Sequence, residues 1–229
     1  MRRFWTDVTV VAEDGGRAIR LDGKPVRTPG RALLAVPNGQ LAEAIADEWR
    51  AVSETIDPRA MPLTGLANAA IDRIAPDPAA FAAGLAAYGE SDLLCYRADG
   101  PAALVARQSA AWDPLLDWAR ARYDVHFEIA TGVMHRPQPP ATIARLGEAI
   151  AARSAWELAP LSPIVTITGT LVGALALVEG AIDGGALWDA AHLDELWQAE
   201  QWGEDALAMQ AREARRRDYE AAVRFLTLT

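Results

Sequence analysis

Cysteine occurs once in this chain of 229 residues, at Cys95, which excludes an intramolecular disulfide and a cysteine-based zinc site. A reducing compartment is the simple expectation. Histidine occurs three times, at His126, His135 and His192, with no spacing that suits a shared metal. No glycine-rich loop ends in Lys-Ser or Lys-Thr to cradle phosphates, and no Gly-x-Ser-x-Gly elbow presents a nucleophile. These absences leave no catalytic residue, cofactor or metal ligand to name. Positive charge is also short, with 22 basic residues against 31 acidic ones and a formal net charge of -9. Phosphate backbones and anionic membrane surfaces would repel such a field, whereas a basic protein partner would be drawn to it.

Long apolar runs are nearly absent. Leu158 to Val178 is uncharged, but Pro160 and Pro163 break its start. About fifteen uninterrupted residues remain, roughly 22 Å of helix against a bilayer core of about 30 Å. Thr166, Thr168, Gly169, Thr170 and Gly173 dilute the run further, so a buried core segment is expected. No apolar signal run follows Arg2 and Arg3, and no long acid-poor transit segment is seen. The expectation is a mature or cytoplasmic protein.

What remains is ordinary globular composition, 51% hydrophobic and 23% charged. The length suits one large domain or two small ones and buries roughly 70–75% of the unfolded surface. Val8 and Val10 alternate with polar neighbours, and so do Ile19 and Leu21, with Asp22-Gly23 following as a two-residue hairpin turn. Pro25 and Val26 begin a third short run; Leu33, Leu34 and Val36 form a fourth. After Pro37 the period becomes helical, with Asn38 as N-cap and Leu41, Ile45, Trp49 and Val52 on one face. Trp49 is expected to pin this helix to the sheet. Further helices are expected after Pro62, Asp77-Pro78, Pro101 and Asp113-Pro114, and around Ile143, Leu146 and Ile150. Val125, Phe127 and Ile129 alternate as for one more strand. The fold class is therefore α+β: an antiparallel β meander over residues 1–37, then a mainly helical domain over 38–229. Arg136-Pro137-Gln138-Pro139-Pro140 is a stiff connector, which puts a possible internal boundary near 134–140.

Two stretches stand out. Val165 to Ala174 reads as a strand, a glycine turn at Thr168-Gly169 and a helix start, faintly like a dinucleotide fingerprint. Leu171 stands where the second glycine would be needed, so close packing through Gly169 and Gly173 is the simpler reading. The second stretch runs from Leu193 to Asp205 and sets Trp197 and Trp202 among Asp194, Glu195, Glu200, Glu204 and Asp205. Large indole faces want burial and unpaired acids want water, a mixture suited to a partner-binding face. The plainer alternative makes Trp197 core, with Glu204 and Asp205 as first-turn acids of a last helix. That last helix takes Leu207, Ala211, Ala214, Ala222 and Phe225 as apolar positions, with Arg212, Arg215, Arg216 and Arg217 as a solvated face.

Taken together and in order, several short motifs carry a resemblance. They are Arg3-Phe4-Trp5, Leu21-Asp22-Gly23-Lys24-Pro25 with Thr28-Pro29, Ala46-Asp47-Glu48-Trp49 and Met61-Pro62-Leu63-Thr64. Asp92-Leu93-Leu94-Cys95-Tyr96-Arg97, Trp112-Asp113-Pro114-Leu115-Leu116, Thr168-Gly169-Thr170 and Asp194-Glu195-Leu196-Trp197-Gln198 through Trp202-Gly203-Glu204-Asp205 complete the set. Over nearly its full length the chain resembles the assembly chaperone family that acts on the alpha subunit of F1-ATPase. The resemblance implies a non-enzymatic chaperone, without cofactor, that holds a free alpha subunit until the beta subunit replaces it. It implies a bacterial cytoplasmic relative of proteins that work in the mitochondrial matrix. Glu195, Trp197, Trp202, Glu204 and Asp205 are the expected partner-binding residues. The other readings are a nucleotide-binding enzyme using the Thr168-Gly169 turn, and a permanent structural subunit.

Overall fold

The computed structural model describes residues 2–13, 15–132, 134–203 and 205–229. They form two compact units, neither continuous in sequence. The first takes the chain up to Pro78 together with Ser154–Pro160 and Glu220–Thr229; the second takes Ala79–Arg153 and Leu161–Tyr219.

The first unit is built on the expected meander. Strands β1 (Val8–Glu13) and β2 (Gly16–Leu21) pair antiparallel, with Val8 opposite Leu21 and Glu13 opposite Gly16. Asp22 and Gly23 both hold positive φ, 48° and 76°, as a two-residue hairpin turn demands. The Asp22 carboxylate accepts the amides of Asp7 (2.8 Å) and Thr6 (3.0 Å), which lowers its pKa. Strand β3 (Lys24–Pro25) and strand β4 (Ala35–Val36) both pair with β2. Helix α1 (Gly39–Ala51) covers one face of this sheet, burying Leu41, Ile45 and Trp49 with Val8, Ile19, Leu21 and Val36. Trp49 does pin the helix: its ring meets Trp5 edge-on at 5.3 Å.

Side chains close the open helix ends of this unit. Asn38 accepts the Leu41 amide at 3.0 Å as N-cap, and its Nδ2 donates to the Leu228 carbonyl at 2.7 Å. Helix α2 (Pro62–Ala69) has no cap from its own Met61. Glu48 of α1 replaces it, accepting Leu63 N and Thr64 N at 2.8 Å and the Thr64 hydroxyl at 2.7 Å. Burial raises the Glu48 pKa against the pull of those bonds. A π-turn, Ala70–Ile74, follows α2 and turns Asp72 toward the 28–31 loop, where it accepts the Thr28 hydroxyl and the Gly30 amide, both at 2.7 Å. A Cβ on Gly30 would stand 2.7 Å from that carboxylate, so only glycine lets it approach. Phe225, fully buried, stacks on Trp156 at 6.5 Å.

The second unit contains helix α3 (Pro78–Ala86, of which Pro78 belongs to the first unit), strand β5 (Tyr96–Arg97), helix α4 (Ala102–Tyr123) and strand β6 (Ala130–Thr131). Helices α5 (Pro140–Ala151), α6 (Ala155–Thr168, shared with the first unit), α7 (Leu171–Val178), α8 (Gly184–Ala191) and α9 (Leu193–Trp202) follow. Helix α10 (Ala206–Thr227) is also shared between the units. Helix α4 is its spine. Leu104, Gln108, Trp112, Leu115, Leu116 and Ala119 repeat every three or four residues and are buried. Helix α7 is buried from Leu171 to Ala176, as its uncharged sequence implies.

Three local expectations are corrected. Asp113-Pro114 does not start a helix; Pro114 lies inside α4. The buried Trp112, whose Nε1 donates to the Ala190 carbonyl at 2.8 Å, holds the helix through it, and Asp113 pairs with Arg97 at 2.7 Å instead of capping. Val125 to Ile129 is not a strand; β6 begins only at Ala130. Thr142 and Gln138 side chains take the backbone groups of His126 and Glu128, each both donating and accepting, so the ladder partner is made of side chains. Val165 to Thr168 is the last turn of α6, ended by Gly169 at φ 69°. Burial on a helix outweighs the β-branched preference of that run.

Asp92 fastens this unit. Wholly buried, its carboxylate accepts Leu94 N at 3.0 Å and Val172 N at 2.9 Å, joining the 92–95 turn to the start of α7. Burial pushes its pKa up from 3.8 to about 6, while bonds from Val172, Thr170 and Leu94 pull the other way. Burial also pushes the Cys95 thiol up to about 12, so it is an inert packing group.

Glu48→Ala strips the start of α2 of its acceptor and lowers the unfolding free energy by about 1–2 kcal/mol, while Glu48→Gln loses less; urea titration of both checks this. Asp92 binds its proton more tightly folded than unfolded. Its contribution to stability is therefore full below pH 3.8 and is lost as pH rises through about 6. In Asp92→Asn that titration is gone, so the stability gap between parent and variant shrinks by up to about 3 kcal/mol from pH 4 to pH 7 in the same titration.

Candidate partner-binding site

Helix α9 is held on its inner side by α4. Trp197 is 9% exposed and carries the Arg107 guanidinium 4.6 Å from its ring centre, and Arg107 pairs with Glu200 at 2.7 Å. Gln108, buried, donates to Asp194 at 2.8 Å and accepts the Ala98 amide at 2.9 Å. His192 stacks on Trp188 at 3.7 Å with its Nδ1 3.0 Å from the Trp188 carbonyl; burial lowers its pKa and favours the neutral ring. These contacts leave the other side of α9 facing outward.

That outer side meets α10 across Gly203, whose φ of 86° lets the chain reverse in three residues. Glu195 clips the two helices together, accepting from Arg215 at 2.8 Å with Arg212 at 3.8 Å. Asp205 is the α10 N-cap, accepting the Ala208 amide at 3.2 Å. Between the helices lies a groove of about 250 Å³ walled by Gln198, Ala199, Trp202 and Met209, with Glu195, Asp205 and Arg212 at its border.

The expected partner-binding residues thus divide. Trp202 is 79% exposed at the mouth of the groove, and Glu195 and Asp205 border it. Trp197 lies behind them in the core, as the plainer alternative had it. Glu204 falls outside the described residues. Leu207 and Met209, which the sequence pattern assigned to a buried stripe or passed over, are 75% and 37% exposed. The stripe is split: Leu207, Ala211 and Ala214 are bare, while Ala222 and Phe225 are buried. Arg212 and Arg215 serve the Glu195 clip, and Arg216 lies 5.7 Å over the Trp188 ring.

Among the described residues no group of histidine, cysteine and acid side chains could hold a metal, and no helix is long and apolar enough to cross a membrane. At the Thr168-Gly169 turn, the α7 amides that a phosphate would need are already engaged, Val172 N by Asp92 and Gly173 N by the Thr170 hydroxyl at 2.9 Å.

Comparison with known proteins agrees with this fold. The family model described as ATP12 chaperone protein matches residues 2–120, over half of the chain. The crystal structure of Atp12 from Paracoccus denitrificans is 44% identical, covers 100% of this chain and 98% of its own, and superposes with a TM-score of 0.94. A point mutant of that protein matches equally, at 43% identity, 99% and 97% coverage, and a TM-score of 0.93. Among curated proteins, mitochondrial atp12 of Schizosaccharomyces pombe is 24% identical over 219 residues, 90% of this chain and 75% of that protein. The chain therefore belongs to the ATP12 chaperone family, chaperones of ATP synthase assembly.

Proposed function

We propose that this protein binds the free alpha subunit of F1-ATPase, shields the surface that later meets the beta subunit, and releases it during F1 assembly. It carries out no chemistry of its own. A subunit awaiting its partner exposes an interface larger and more apolar than a monomer tolerates. A temporary cover must therefore present apolar side chains to water without collapsing on them. The observation that carries the reading is Trp202, Leu207 and Met209 standing exposed at an acid-rich helix junction whose inner side is locked to α4. Trp202, Glu195, Glu204 and Asp205 are proposed to meet the client, with Trp197 as the buried support behind them. The bacterial relative from Paracoccus denitrificans supports work in the bacterial cytoplasm.

A cover that must later be exchanged requires a Kd between about micromolar and nanomolar, roughly -8 to -12 kcal/mol. Calorimetric titration of purified F1 alpha subunit into this protein tests it directly. Trp202→Ala weakens that binding about tenfold or more with an unchanged melting point, because the side chain is 79% exposed in the free protein. Trp197→Ala lowers the melting point. Absence of binding to alpha, or presence of the chain in finished F1, would end the proposal.

A further inference from the structure

The four-stranded sheet of the first unit has one protected side and one bare edge. Natural sheets blunt an edge with a very short strand, a lysine, a proline or a bulge. The side formed by β3 and β4 has three of these devices. Each strand is two residues long, and β3 is Lys24-Pro25, both exposed. Strand β1 has none of them. It runs for six residues, Val-Thr-Val-Val-Ala-Glu, and its ladder to β2 continues from Val8 to Glu13 without a bulge. Alternate residues of an antiparallel strand turn their backbone groups to opposite sides. Asp7 accepts the Asp22 amide, and Ile19, opposite Val10, spends its own groups on Leu34 and Val26. Thr9, Val11 and Glu13 therefore face β2, while Val8, Val10 and Ala12 face outward. Arg50 donates to the Val8 carbonyl at 3.1 Å and closes that end. Beyond it, the outward N–H and C=O of Val10 and of Ala12 bond nothing among the described residues.

This edge is its own complement. In an antiparallel pairing of two copies about Val11, Val10 of each copy stands opposite Ala12 of the other. Each such pair exchanges N–H and C=O, so all four free groups are used in both copies. A pairing centred on Val10 would instead need the Val8 carbonyl that Arg50 already holds. Charge agrees with the Val11 centre. Residues 9–12 are uncharged, and Glu13, whose carboxylate is held by Arg20, meets Thr9 of the other copy. No like charges stand directly opposite, and valine faces valine at the centre.

We propose that β1 is an interface to a second copy of this chain, in which two β1 strands pair antiparallel about Val11 and join the two sheets edge to edge. A contact of one strand on one strand is small for a permanent dimer. Each chain also carries a net charge of -9, so the pair is exchangeable and tightens as salt screens that repulsion. The inference is independent of the client-binding reading and uses none of its residues.

Disulfide trapping in the full chain tests it. At a non-hydrogen-bonded pair on the two-fold axis the Cα atoms stand about 4.5 Å apart, within the span of a disulfide. Val11→Cys is expected to cross-link under mild oxidation at least about tenfold faster than Thr9→Cys, whose two copies would sit about 13 Å apart. The native Cys95 is buried and does not compete. Sedimentation of the wild-type chain at about 1 mM is expected to show a dimer fraction that rises with salt. Ala12→Pro removes an outward N–H that nothing in the chain uses, and weakens the dimer at least about tenfold with an unchanged melting point. Equal cross-linking of the two cysteine variants overturns the inference, as does a wild type that stays monomeric at that concentration. A dimer that a folded Ala12→Pro leaves intact overturns it too, because the contact then lies elsewhere. If Ala12→Pro does not fold, the two cysteine variants decide. If isolated F1 alpha subunit shields the introduced thiol of Val11→Cys from alkylation while the chain alone stays monomeric, the edge serves the client and the inference falls.

Discussion

A backbone amide that loses water must find an acceptor, and at several joints of this molecule the acceptor is a carboxylate distant in sequence. Glu48 supplies it for the start of α2, Asp92 for the start of α7, and Asp72 for the 28–31 loop. Each joins two segments that would otherwise end in unpaired donors. The cost of burying such a carboxylate shows as raised pKa values at Glu48 and Asp92. The bonds gained tie element to element, and loss of one acceptor leaves several donors unpaired at once. Part of the negative charge that looks like surface in the composition is internal structure.

The same economy explains how α9 keeps an uncovered side. Part-buried polar and aromatic contacts, Gln108 to Asp194 and Arg107 over Trp197, fix it from within. On its outer border the part-exposed ion pair of Glu195 with Arg215 is worth little alone. Rigidity lies on the inside and adaptability on the outside. That division suits a surface proposed to bind and then let go.

Local chemistry made much of the fold readable. Alternating valines, the Asp-Gly turn and the Asn38 cap each act within a few residues, and each appears where expected. The misses share one cause, which is that the deciding partner lies far along the chain. Nothing near Val125–Ile129 reveals that Thr142 and Gln138 will replace a neighbouring strand. Nothing near Pro114 reveals that Ala190 and Arg97 will hold the helix through it. At the candidate site, aromatic and acidic composition singled out the stretch from Leu193 to Asp205 but not which side each residue takes. Trp197 and Trp202 read alike in sequence; only Arg107 and α4 separate them. Leu207 was hidden by a helical period that continues smoothly from bare positions into buried ones.

Of the eight indoles in the chain, Trp202 alone stands almost entirely in solvent among the described residues. Indole emission shifts with the polarity around the ring, and a ring in water is open to dissolved quenchers. The molecule therefore carries a native optical gauge at the spot proposed to meet its client. A quencher in the buffer would silence that ring first, and any protection it gained would report arrival without a label.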